Sequence, residues 1–299
     1  MHVAFTTAEP EPRMAVCAGH NGTDHLASCL VLIMETLSWD GDLMGPLPAP
    51  RYGPTVVTLR NIGNYMIGGG ATGNPLTTDF LASGSRHWVS GPAIPERMTY
   101  PCSVVISERG FLVIDGNSKN VLEYQVDLSN PSSDAGWQEA SSWPQLQSTH
   151  GSRPGCSKVG RRVVVAGYSS GKTEIIDLAT RSIEYAGDLN TARHLFHIIT
   201  ITTEGIEKTF ALGGRTGSNE LDTVEELDTD TLTWKTATAK LLERRAWFGA
   251  VALPKSMIPG NINDSVKFFL GMFEEKKYYD IAAPSKEDNF LAVNVLQTT

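Results

Sequence analysis

Cysteine is scarce in this chain: 4 in 299 residues, too few for a small fold stapled by disulfides. Long apolar runs are missing as well. No stretch reaches the roughly 20 residues that a helix needs to cross a bilayer, which excludes a helical membrane protein. Lysine and arginine form no long run, and the net charge is −8, which argues against nucleic acid or an anionic membrane as partner. The first residues, Met1-His2-Val3-Ala4-Phe5-Thr6-Thr7, lack the basic start and apolar core of a secretory signal. A cytoplasmic protein is therefore expected. A secreted one is the alternative if a signal peptide precedes this sequence; Asn21-Gly22-Thr23 and Asn263-Asp264-Ser265 would then be glycosylation acceptors.

What is present is periodic. Trp39, Trp88, Trp137, Tyr185 and Trp234 recur at steps of 48 or 49 residues. Roughly 20 residues ahead of each stands a glycine pair or its remnant: Ala18-Gly19, Gly69-Gly70, Asp115-Gly116, Ala166-Gly167 and Gly213-Gly214. Between these landmarks lie short runs rich in Val, Ile and aromatics, separated by Gly/Asn/Ser clusters, as in a meander of antiparallel strands. In the second repeat the strands read as 51–59, 64–67, 76–81 and 88–89. The third reads as 102–106, 111–114 and 121–126 before Trp137, and the fourth as 156–159, 162–166 and 173–177 before Tyr185. The fifth reads as 196–201, 209–212 and 223–228 before Trp234. A sixth repeat at 247–253, 266–270, 277–281 and 290–296 has neither a double glycine nor a tryptophan. At the start, residues 2–5 supply the first strand of repeat one, so no strand is shared between the two chain ends.

The double glycines, the aromatic heading each fourth strand and the segment Asp228-Thr229-Asp230-Thr231-Leu232-Thr233-Trp234 resemble the kelch-repeat family; Asp177-Leu178-Ala179-Thr180 is a weaker copy. The resemblance spans residues 1–299, with departures in repeats one, four and six. It implies an all-β, six-bladed kelch-type β-propeller with four antiparallel strands per blade and a degenerate sixth blade. The single domain would divide into blades at about 1–45, 46–94, 95–144, 145–189, 190–240 and 241–299. It also implies a recognition surface for proteins, made by the loops around the axial mouth. Fold alone does not fix function.

Four motifs carry chemistry worth weighing. Ala166-Gly167-Tyr168-Ser169-Ser170-Gly171-Lys172-Thr173 fits a relaxed phosphate-binding loop, but the run Glu174-Ile175-Ile176-Asp177 behind it reads as a strand. The helix whose amides would face the phosphates is missing, and nucleotide binding is rejected. Cys17, His20, His25 and Cys29 have the ligand types for tetrahedral zinc, yet they lie on a hairpin where strand alternation sends side chains to opposite faces. Buried cysteines in a polar loop are the simpler account, a Cys17–Cys29 disulfide being conceivable in an exported chain, and no metal or cofactor is expected. Cys102 and Cys156, in matching places of consecutive first strands, read as small packing residues.

The fourth motif is a ring. Arg51, Arg153, Arg193 and Arg245 each precede by four residues a matching position of a first strand (Thr55, Ser157, His197, Gly249), with Arg97 slightly earlier in its blade. First strands surround the axis, so these guanidinium groups would gather at one mouth as a carboxylate-binding surface. The competing account pairs each arginine with a backbone carbonyl or an acid of the adjoining loop. Tyr52, Tyr100 and Trp247 stand beside the same loops as candidate anchors. The leading expectation is a non-enzymatic interaction module, monomeric, receiving a protein or peptide, acidic if the arginines read it. An enzyme or small-molecule-binding propeller using His194, His197, Cys102 and Cys156 is the rival, and an exported structural propeller the third. His150, Glu226 and Asp228 show no catalytic spacing.

Overall fold

The computed structural model describes residues 3–252, apart from 10–11, 22, 37, 71–75, 99, 169, 204 and 242, and the backbone of 268–272, 277–282 and 292–297 beyond them. Five antiparallel sheets follow one another along the chain. Blade one holds β1 (Val3–Thr6), β2 (Met14–Cys17), β3 (Cys29–Ile33) and β4 (Ser38–Asp40), paired in that order. Blade two holds β5 (Thr55–Leu59), β6 (Gly63–Ile67), β7 (Thr78–Ala82) and β8 (Val89–Ser90). Blade three has β9 (Cys102–Ser107), β10 (Gly110–Ile114) and β11 (Val121–Gln125); its outer edge is a single bridge from Tyr124 to Trp137. Blade four has β12 (Gly155–Val159), β13 (Arg162–Ala166), β14 (Thr173–Asp177) and β15 (Ile183–Tyr185). Blade five is built of β16 (His197–Thr203), β17 (Ile206–Leu212), β20 (Thr223–Asp228) and β21 (Thr233–Lys240), with the small hairpin β18 (Arg215–Thr216) and β19 (Asn219–Glu220) between its middle strands.

The innermost strands β1, β5, β9, β12 and β16 are successive neighbours, which makes the sheets blades around an axis. Second strands are buried on both faces, so their residues alternate between two interfaces. In β10, Phe111 and Val113 join Tyr65, Ile67 and Phe80 of blade two, while Leu112 and Ile114 join Val163, Val165 and Ile176 of blade four. In β13, Val163 and Val165 face blade three, while Val164 and Ala166 pack with Phe196, Ile198 and Trp234 of blade five. This two-sided burial is why these strands read as unbroken apolar runs rather than alternating ones.

The glycine bends are forced by what they touch. Gly69 has φ +89°, and a Cβ there would come within 2.8 Å of the Tyr52 carbonyl oxygen and the Pro54 nitrogen. Gly214 has φ +96°, and its Cβ would lie 2.6 Å from that of Phe196. Only glycine lets the end of the second strand approach the entry of the first so closely. The Asp-Thr-Asp-Thr signature has an equally local cause: Asp228 Oδ1 accepts from the amides of Asp230 and Thr231, and the Lys235 amine donates to its other oxygen at 2.7 Å. Those donors hold the Asp228 carboxyl well below the usual range, the lysine foremost. Asp177 folds the weaker copy the same way, through the amides of Ala179 and Thr180.

Five blades stand where six were expected. Residues 247–252 form no strand, 253–267 lie outside the described residues, and the expected strands at 266–270 and 290–296 are described only in part. Among the described residues beyond 252 the chain contributes a three-stranded meander, β22 (Phe268–Met272), β23 (Lys277–Ala282) and β24 (Ala292–Gln297). Of the four strands expected there, the first has no counterpart at 247–252, and the repeat has neither a double glycine nor a tryptophan to mark it.

The cysteines also depart from expectation. Cys17 and Cys29 face each other across β2 and β3 with Cα atoms 4.1 Å apart and form a disulfide. Cys102 and Cys156, on neighbouring inner strands with Cα atoms 6.0 Å apart, form a second. Cys102 and Cys156 are thus a cross-link between strands, not separate packing residues, because adjacent inner strands bring their starts within bridging distance.

Candidate functional site: the axial mouth

The inner strands enclose a channel of about 420 Å³. Hydroxyl pairs tie them together across the blades: Thr55 with Ser103 at 2.6 Å, and Ser157 with Thr200 at 2.8 Å. The channel opens where the inner strands begin, and there each chain segment makes the same turn. Gly53, Tyr100, Arg153 and Leu195 adopt φ between +57° and +68° two residues before β5, β9, β12 and β16, and Trp247 turns the same way at +60°. Their backbones meet around the axis, the Arg153 amide donating to the Tyr100 carbonyl at 3.0 Å and the Trp247 amide to that of Leu195 at 3.1 Å.

Rings collect at this mouth. His25 lies 4.3 Å from Tyr52 between centroids, Tyr52 5.4 Å from Tyr100, and Tyr100 6.0 Å from Trp247. His20 stands opposite His25 on the β2–β3 hairpin, 5.4 Å away and 6.0 Å from Tyr52. All five side chains are half-buried, so their faces are held in place while part of each meets solvent. Burial, then the hydrogen bond and charge of the Tyr52 phenol, raise the Tyr100 hydroxyl above its usual range, and it stays protonated. Sequence named the two tyrosines and the tryptophan as anchors. It weighed the two histidines only as weak zinc ligands and did not connect them with these rings; the disulfide takes both thiols of that set.

The arginines do not form a common surface. Arg51 is buried and donates to Asp79 at 2.7 Å and to the carbonyls of Gly68 and Thr77. Arg193, also buried, holds Glu225 at 2.6 Å and the carbonyls of Gly213 and Thr223. In blade four the same place is taken by His150, 3.0 Å from Glu174. Each acid sits inside a third strand, and the two glutamates also receive amides of the loop that enters their blade: Gln147 and Ser148 donate to Glu174, Asn190 and Thr191 to Glu225. Burial would raise Glu174, but His150 and these two amides outweigh it and hold the carboxyl below its usual range. Arg245 is buried with Glu243 3.5 Å away, and Arg97 stays exposed on the loop before Tyr100. The cation and acid together form a strut from loop to blade centre. Sequence missed the acids Asp79, Glu174 and Glu225, although an acid one or two residues after the threonine that opens each third strand, in TDFLA, TEIID and TVEELD, is a visible signal.

Arg153 differs from the others. It is 5% exposed, lines the channel, and donates through Nη2 to His197 Nε2 and to the Phe248 carbonyl, both at 3.0 Å. The remaining candidates are scattered. His194 pairs by backbone with Arg215, and burial, then that arginine's charge, lower its pKa. Cys102 and Cys156 are joined to each other, and Lys172 of the glycine-rich loop reaches Asp188 at 3.0 Å from a hairpin that leads into β14. Glu226 and Asp228 lie along β20.

Stacked four-strand blades around an axial channel define a β-propeller. The family model described as the kelch motif matches residues 207–239, which run from β17 through most of β21. Read with the five repeated blades, that match supports a kelch-repeat β-propeller. No curated protein is significantly similar to it.

Proposed function

We propose that this propeller is a non-enzymatic, monomeric interaction module that takes a peptide or protein loop at its axial mouth. The observation that carries the reading is the cluster of half-buried rings, His20, His25, Tyr52, Tyr100 and Trp247, supplied by separate segments of the chain. Rigid rings with one wet face are the side chains that anchor binding hot spots, because little rotamer entropy is lost on contact. An acidic partner drew its support from the arginine ring; with Arg51 and Arg193 occupied inside the blades, the anchor on the partner is better read as an apolar or aromatic side chain. The pairing of β1 with β2 of its own blade supports a ring closed without a shared strand. Two disulfides favour an oxidising compartment over the cytoplasm, the secreted alternative. Intact-mass analysis after alkylation without reductant tests that point: no thiol should react.

The partner reading is tested by affinity capture with wild type and a folded Tyr52→Ala/Trp247→Ala variant. A protein retained by wild type, lost by the variant, and released by a peptide of its own sequence supports the reading. Equal retention by both overturns it.

A further inference from the structure

Four arginines are buried among the described residues, and Arg153 alone has no carboxylate. Arg51, Arg193 and Arg245 lie beside Asp79, Glu225 and Glu243. Both contacts of Arg153 are to neutral groups, and its Nη1 is buried without a hydrogen-bond partner. Burial first, and then the charge of Arg153, lower His197 to about 3, so at neutral pH its ring accepts from the guanidinium and adds no charge. Burial lowers Arg153 only to about 10, so the guanidinium remains a cation. The other charged residues of the channel, Lys158 and Glu207, belong to the far end, near the close of β12 and the start of β17. A desolvated cation with an unused donor and no counter-charge is an unfavourable arrangement unless an anion completes it.

We propose that the axial channel binds a small organic monocarboxylate, with its head on Arg153 and its tail along the inner strands. One uncompensated positive charge suits a monoanion better than a phosphate dianion. The planar guanidinium presents a fork of donors that a carboxylate matches. The wall past Arg153 is apolar at Val104, Ile198 and Ala250, and the hydroxyls of Thr55 and Ser103 already bond each other, so the tail is short and largely apolar. The volume, about 420 Å³, falls within the range of small-ligand pockets. This site is separate from the ring cluster at the mouth and does not depend on what that cluster binds.

A carboxylate has two sources, a free acid or the C-terminus of a partner segment, and saturation-transfer NMR separates them. The purified protein is titrated with acetate, with butyrate, and with a short alanine peptide carrying either a free or an amidated C-terminus, at constant ionic strength. Wild type is expected to transfer saturation to the butyrate methyl, and its Tm to rise by roughly 2–5 °C at ten times the dissociation constant. Arg153→Met should lose both effects. Arg153→Lys keeps the charge without the fork and should weaken binding about tenfold; it carries the test if the methionine variant does not fold. Three results would overturn the proposal: no transfer from either small acid to wild type, transfer that survives unchanged in the variants, or binding of the free-ended peptide alone.

Discussion

Arg153 and Arg193 stand 40 residues apart in consecutive blades, each four residues ahead of what reads as a matching first-strand position. Both are buried, yet one holds Glu225 at 2.6 Å and the other holds only a neutral ring and a carbonyl. Pairing explains the difference. Gly155 lies opposite Ala166 and His197 opposite Leu212, each partner standing just before its glycine bend. Gly155 and His197 are therefore the equivalent residues, and Arg153 corresponds to Leu195, with φ +60° and +57° respectively. A two-residue offset turns a strut into a residue that faces the channel, and His150 takes up the strut of blade four.

The largest expected effect comes from breaking the strut. Arg193→Met leaves Glu225 buried and uncompensated and should cost about 3–5 kcal/mol in urea unfolding. An unchanged midpoint would mean that the pair contributes nothing. Next is the Cys102–Cys156 bridge, which closes a 54-residue span beside Arg153. Replacing both cysteines by serine should cost up to about 4 kcal/mol by chain entropy, which differential scanning calorimetry would read as a lower Tm.

The third effect is a pH dependence that belongs to the Arg153 side of the comparison. His197 titrates near 6.5 when unfolded and at about 3 when folded. Between those values the unfolded chain binds the extra proton, so stability is full above about 6.5 and falls as pH drops toward 3, by up to about 1.4 kcal/mol per unit. In His197→Gln that portion of the slope should vanish, as urea midpoints from pH 7 to pH 4 would reveal. The smallest stability change is expected at the mouth. Tyr52→Ala should reduce partner affinity tenfold or more while moving the unfolding midpoint far less than Arg193→Met does.

The blade plan was legible because second strands such as β10 and β13, buried on both faces, write it as apolar runs that end in glycine. Tyr52, Tyr100 and Trp247 could be named as candidate anchors because each stands at an expected first strand. The acids of the struts were not, since Asp79 or Glu225 in a strand-like segment reads as an interruption until its loop partner is known. Nor were the disulfides, which depend on which inner strands are neighbours. The fourth blade also hid its anchor: Tyr185 is exposed and shares a hydrogen bond with Ser148, while Trp143, from the preceding loop, is buried against Val163 and Ile176 and donates to Glu123.

The distinction between strut and channel residue is tested most directly by urea unfolding of Arg153→Met beside Arg193→Met at neutral pH without added carboxylate. The account predicts that Arg153→Met loses less than half of what Arg193→Met loses, because a cation with no counter-charge is removed in the first and an ion pair is broken in the second. Equal losses, or a larger one for Arg153→Met, would contradict it.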